Sequence, residues 1–273
     1  MALMWLAGCG GDISDKKIVT VSIEPQRYLL EQITGDRVQV RCLLADGANP
    51  ETYDPSMTHM FNLQKSAAYL RVGNIGFEAA LLDKIHDSNP DLPIYNTSEG
   101  ITPILGTHGH GDEDAPDPHT WTSVKNARIM ASNMLKAMRE VDPGHADEYQ
   151  RNYERFAERL DSLDRAFAER LAPVKGTTFL VWHPSLSYFA RDYGLRQLVV
   201  GGAESKESSV SDIRNAIDSA EANKARVFFC QADLDSRHVA ALNAEIGARE
   251  VTVNLLSSHW EEEMEKIVEA LEN

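Results

Sequence analysis

Eight short β-branched runs, separated by longer stretches of helical periodicity, constrain the fold of this chain more than any other feature. In the first half they are IVTVSI (18–23), VQVRCLL (38–44), AYLRVG (68–73) and LPIYNT (92–97), with helix-like spans such as PQRYLLEQITG between them. TFLVWH (178–183), LRQLVV (195–200), ARVFFCQ (225–231) and REVTVNLL (249–256) repeat the design in the second half. Strands that alternate with helices are joined by crossovers rather than tight hairpins, which gives parallel sheets covered by helices on both faces. Four runs on each side predict an α/β fold of two lobes, each with a roughly four-stranded parallel sheet flanked by helices.

The stretch between them is different. From Ser123 to Leu171 no strand pattern occurs, and Tyr149, Tyr153, Phe156, Leu160, Leu163, Phe167 and Leu171 recur at steps of three and four. That spacing draws one apolar stripe along a helix of about seven turns. DPGH at 142–145 separates it from an earlier helix containing ARIMASNMLKAMRE. The stripe is core packing, and a long rigid helix joining two lobes should act as a strut that limits hinge motion. The expected organisation is a tether at 1–15, an N-terminal lobe at 16–122, a helical linker at 123–174 and a C-terminal lobe at 175–273.

With 273 residues, 42% of them hydrophobic, the chain can bury a core in each lobe. Its formal charge of −15, from 42 acidic against 27 basic residues, repels phosphate backbones, so no nucleic-acid partner is expected. No stretch reaches the roughly 18 to 20 apolar residues of a membrane-spanning helix. At the N-terminus, Leu6, Ala7, Gly8 and Cys9 in MALMWLAGCGGD resemble the lipobox of bacterial lipoproteins, which implies a lipid on Cys9 and an extracytoplasmic body. The apolar run before Cys9 is short and lacks a preceding Lys or Arg, so the leader looks truncated; the alternative is an accidental cysteine in a trimmed leader. Cys42 and Cys230 lie in apolar strand-like runs and read as separate core thiols rather than a disulfide.

The stretch GTHGHGDEDAPDPHTW at 106–121 is either a solvated loop or part of a metal site. In DPHTW, Pro118 stiffens the backbone before His119, and Asp117 is placed to accept the second ring N–H of a ligating imidazole. Alone, such a pentapeptide defaults to a solvent-facing loop. His183 changes the balance, because it ends the apolar strand TFLVWH, and ligands of parallel sheets gather at the carboxyl ends of strands. A buried structural histidine is the competing reading.

Further motifs carry a family resemblance. GANPETYDPS, DPHTW, the long interlobe helix, WHPSLSYFARDYGL, FFCQADLDSRHVAALNAEIG and NLLSSHWEEEMEKI, in that order, resemble the metal-binding lipoproteins of the zinc and manganese class of ABC-transporter solute-binding proteins. The resemblance spans essentially the whole chain after Cys9. It implies that a divalent metal is bound in the cleft between the lobes and delivered to an ABC permease, by a protein expected to be a monomer. The family's ligand after the first proline is usually His and here is Glu51; the DPH ligand matches His119; the histidine opening the next helix matches His183; and the family's final Asp is met by Asn254. Glu51 can supply a carboxylate oxygen. Asn254 is uncharged and a weak donor, and Gln231 and Glu204 are reserve candidates for the fourth position. His59 and His259 read as helix-surface residues.

Two imidazoles and a carboxylate suit zinc and also the 2-His-1-carboxylate set of iron enzymes, and spacing alone does not choose. His108 and His110, with Asp112, Glu113 and Asp114, occupy the place of the His-rich segment of zinc-uptake proteins and favour Zn²⁺; Glu51 hardens the site and keeps Mn²⁺ or Fe²⁺ open. Two rival classes are a zinc hydrolase and an adhesin on the same scaffold. The hydrolase lacks an HExxH helix and an obvious second carboxylate as general base. The adhesin predicts partner binding that survives loss of His119 and His183.

Overall fold

The computed structural model describes residues 16–44, 48–51, 53–106, 115–200, 210–231 and 236–272. All eight expected runs form strands: β1 (Lys17–Val21), β2 (Val38–Cys42), β3 (Ala68–Arg71), β4 (Ile94–Asn96), β5 (Thr178–Val181), β6 (Arg196–Val199), β7 (Val227–Gln231) and β8 (Arg249–Val253). They make two four-stranded sheets, in orders β2-β1-β3-β4 and β6-β5-β7-β8, with every pairing parallel. The second sheet thus repeats the strand order of the first. In each, the crossover direction reverses next to the first strand, and this switch point opens a crevice at the carboxyl edge.

Nine helices occur among the described residues: α1 (Glu24–Thr34), α2 (Met57–Leu63), α3 (Gly76–Ser88), α4 (Val124–Val141), α5 (Ala146–Leu171), α6 (Ser187–Tyr193), α7 (Val210–Ala222), α8 (Ser236–Ile246) and α9 (Trp260–Glu272). None is long and apolar enough to cross a membrane. α1 begins with Glu24 and Pro25, an acid facing the positive helix end and a residue whose missing N–H costs nothing there. Ser123 caps α4 by accepting the Asn126 N–H at 3.1 Å.

α5 is the expected strut, 26 residues long. Its stripe buries Tyr149, Phe156, Leu160, Phe167 and Leu171, with Tyr153 and Leu163 packed partly buried beside them. α4 and α5 pack together, and α5 also meets α1 of one lobe and α9 of the other. One apolar core therefore runs from Val19 and Leu70 through Met134 and Phe156 to Phe179, Val181 and Ile267. A second, smaller cluster, including Leu180, Phe228 and Cys230, lies on the other face of the C-terminal sheet.

Cys42 and Cys230 are free thiols in different sheets. Cys230 is buried as expected, whereas Cys42, the last residue of β2, is only half-buried. Burial pushes the Cys230 thiol up to about 12, so it is inert as a nucleophile. Cys9 and the rest of the expected tether at 1–15 lie outside the described residues.

Candidate metal centre

Glu51 sits on the segment between β2 and α2. Its neighbour Tyr53 fastens that segment to the sheet, donating to the Leu43 carbonyl at 2.9 Å and meeting the Phe77 ring edge-on at 5.3 Å. The segment then enters α2, capped by Ser56. His59, expected on the helix surface, is instead half-buried. It turns back on the cap, where its Nδ1 lies 2.9 Å from the Tyr53 hydroxyl and accepts the Ser56 N–H at 3.1 Å.

His119 is reached from β4 through a narrow stem. Leu105 and Pro116 form an isolated antiparallel bridge, and the Asp117 N–H donates to the Ile104 carbonyl at 2.8 Å. Between them, His108, His110, Asp112, Glu113 and Asp114 lie outside the described residues. Asp117 is fully buried, and its Oδ1 stands 2.9 Å from both the backbone N–H and the Nδ1 of His119. A carboxylate there fixes the proton on Nδ1 and leaves the Nε2 lone pair for a metal. Tyr188 of α6 donates to the Asp117 carbonyl at 2.9 Å, so the second lobe braces the first lobe's histidine.

His183 lies just past β5, at the switch point of the second sheet. Its carbonyl accepts the Ser185 N–H at 2.7 Å in the turn toward α6. His183 Nε2 stands 3.1 Å from Glu51 Oε1, and the His119 and His183 rings are 5.1 Å apart at 72°. One ligand atom from each of Glu51, His119 and His183 lies within 4.8 Å of the others. Around a tetrahedral zinc with bonds of about 2.0–2.1 Å, ligand atoms stand roughly 3.3 Å apart. The triad is therefore close to ligating distance, with His119 buried and the other two partly open to solvent.

Of the four residues singled out from the sequence, three converge. Asn254 lies after β8, exposed and engaged in its own turn: its N–H donates to Glu263 at 2.9 Å, and its Oδ1 accepts the Leu256 N–H at 3.1 Å. Gln231 closes β7, half-buried and paired with Val253. Glu204 lies outside the described residues, and His259 is exposed as expected. Periodicity did not reveal a reciprocal clasp between the lobes: the Trp121 indole donates to the Leu255 carbonyl at 2.8 Å, and the Trp260 indole donates to the Trp121 carbonyl at 2.7 Å. Trp121 also lies 5.1 Å from the His119 ring. Its only sequence signal was its position in DPHTW.

Along nearly its whole length the chain is similar to known metal-binding proteins. The family model for ZnuA, the periplasmic component A of zinc-uptake complexes, matches residues 19–273. The iron-binding protein YfeA of Yersinia pestis is 29% identical over 241 residues, covering 87% of this chain and 76% of that protein. A putative metal-binding protein of Chlamydia trachomatis is 30% identical over 204 residues, covering 75% and 72%. A crystal structure of ZnuA superposes with a TM-score of 0.87 at 32% identity, covering 95% of this chain and 99% of that one; a zinc-bound deletion mutant of ZnuA gives 0.86, also at 32%, covering 95% and 98%. These relatives are metal-binding proteins, not enzymes. With two repeated parallel sheets, a strut helix and a convergent imidazole–carboxylate triad, the chain belongs to the ZnuA family, the periplasmic solute-binding components of metal ABC importers.

Proposed function

We propose that this protein captures one Zn²⁺ between its lobes and hands it to the permease of its importer. Glu51 and His119 bind from the N-terminal lobe (16–122) and His183 from the C-terminal lobe (175–273). A water completes the shell, since Asn254 is held in its own turn. The observation that carries this reading is the approach of Glu51, His119 and His183 to within 4.8 Å. Two imidazoles and one carboxylate are a zinc donor set, and the buried Asp117 partner fixes the ring orientation and tautomer of His119. His108 and His110, which precede His119 in the sequence, would supply further zinc-seeking donors.

A second reading, Mn²⁺ or Fe²⁺ as cargo, has the harder Glu51 oxygen in its favour and an iron-binding relative in YfeA. Competitive titration of the demetallated protein separates the two. Zinc should bind more tightly than manganese or iron, and Glu51→Ala and His183→Ala should each weaken zinc binding, by about 100-fold or more for the histidine. Wild-type zinc affinity in both variants removes the site; equal or tighter binding of Mn²⁺ or Fe²⁺ removes zinc as the cargo. Delivery predicts a faster zinc off-rate in the presence of the membrane permease. A lipid on Cys9 would hold the monomeric protein at the membrane, and mass spectrometry of the N-terminal peptide tests it.

A further inference from the structure

We propose that Glu78 is a positioning residue for the metal ligand Glu51, acting through the first turn of α3. The inference rests on the reading of Glu51 as a ligand. Glu78 is fully buried, and its carboxylate is held entirely within the N-terminal lobe. Oε1 accepts the Val72 N–H at 2.7 Å and the Ser22 hydroxyl, while Oε2 accepts the Gly73 N–H at 2.8 Å. Ser22 in turn meets the Tyr69 hydroxyl at 2.7 Å. The carboxylate thus locks the turn after β3 to the end of β1, at the switch point of the first sheet. Burial raises the pKa of this carboxyl against the opposing hydrogen bonds of Ser22, Gly73 and Val72. A group so costly to bury is expected to fix a geometry that an apolar side chain would leave loose.

The geometry it fixes lies under Glu51. Gly73 adopts φ +138°, and a Cβ there would stand 2.7 Å from Asn96 Oδ1, so the turn has one way to run. Three residues on, a Cβ at Gly76 would come within 3.3 Å of the Glu51 carbonyl oxygen. The backbone of the ligand therefore rests directly on the first turn of α3. Phe77 packs against Tyr53, two residues beyond Glu51. Consecutive residues 76, 77 and 78 thus touch Glu51, its anchor Tyr53 and the sheet edge.

A double-mutant cycle on the full chain tests the proposal, with zinc affinity measured by competition in wild type, Glu78→Gln, Glu51→Ala and the double variant. The glutamine keeps the volume but turns an amide donor toward a backbone or hydroxyl donor. Glu78→Gln should lower zinc affinity about 10-fold. The loss should vanish in the Glu51→Ala background, because the two residues act as one unit. The absorption bands of the Co²⁺-loaded protein should also change in Glu78→Gln, as the geometry of the donor set shifts. Undiminished affinity, or an equal loss in both backgrounds, overturns the proposal. Wild-type affinity in Glu51→Ala is a different result: it removes Glu51 as a ligand, and the role of Glu78 with it. If Glu78→Gln does not fold, Gly76→Ala presses on the Glu51 carbonyl without touching the carboxylate network. It should show the same loss, confined to the Glu51 background, and its absence overturns the proposal.

Discussion

In the N-terminal sheet, Ala68, Tyr69 and Leu70 of β3 all join the main core together with Val19 and Val21 of β1, so one apolar body wraps both faces. In the C-terminal sheet the corresponding strands divide. Phe179 and Val181 of β5 and Phe229 of β7 face the main core, while Leu180, Phe228 and Cys230 face a small separate cluster closed by Ala220 of α7 and Val239 of α8. Two lobes with the same strand order are thus anchored unequally. The N-terminal lobe is part of the strut's own core, and the outer layer of the C-terminal lobe is attached to it by few residues. The two candidate histidine ligands follow the same division: His119 is buried, fixed by Asp117 and braced by Tyr188, while His183 stands at the strand end nearer solvent.

The largest expected effect comes from cutting the same side chain out of both cores. Leu70→Ala should cost about 4–5 kcal/mol, and Leu180→Ala nearer 2–3 kcal/mol, because a small cluster under two helices relaxes into the gap more readily. Equal costs in denaturant unfolding would break the comparison.

Acid offers the next probe, at the N-terminal end of the strut. Asp142 accepts from Tyr149 at 2.6 Å and from Lys17 at 2.9 Å and meets His145 at 2.7 Å. Burial alone would push this carboxyl up, but these hydrogen bonds overcome it and bring it from 3.8 down to about 2. The stability it contributes is therefore complete above pH 3.8 and is lost as the pH falls through about 2. The other end of α5 is held by Arg170 with Glu265 and Glu272, partly exposed pairs that contribute less. Thermal unfolding followed from neutral to acid pH should show a loss below pH 3.8 that Asp142→Asn abolishes by paying it at every pH; an unchanged acid limb in the variant would show that another carboxylate carries it.

The smallest effect sharpens the comparison at the boundary of the lobes. Trp260→Phe keeps the buried ring and removes the indole N–H from the Trp121 carbonyl. The expected cost is about 1 kcal/mol of stability, with a several-fold loss of zinc affinity, because Trp121 stands two residues from His119. Stability lost without any change in affinity would confine the clasp to a structural role.

The strands were legible because a buried parallel strand reads as a short apolar β-branched run, and all eight occur where those runs lie. Their ends were not. REVTVNLL stops at Val253 because Asn254 turns its side chain back onto the Leu256 N–H. The stripe of α5 was legible over its whole length, since a long helix repeats its buried face many times. α2, with seven residues, repeats it too few times, and the half-burial of His59 depended on Tyr53 and Ser56 outside the helix. Asp117 could be paired with His119 from DPH alone because the two are neighbours in one rigid turn. Glu78 left no comparable mark, for its partners Ser22, Val72 and Gly73 meet it only through the sheet.

By itself, the sequence determined the segments: which stretches become strands, which face of the strut is buried, and which residues have metal-binding chemistry. These follow from local periodicity and side-chain type. The tertiary structure alone decided that Glu51, His119 and His183 approach within 4.8 Å of one another and that Asn254 is drawn into its own turn. Loop-to-loop distances are set by the packing of two sheets on one shared core. That packing is a sum over many distant contacts, which no single stretch of chain encodes.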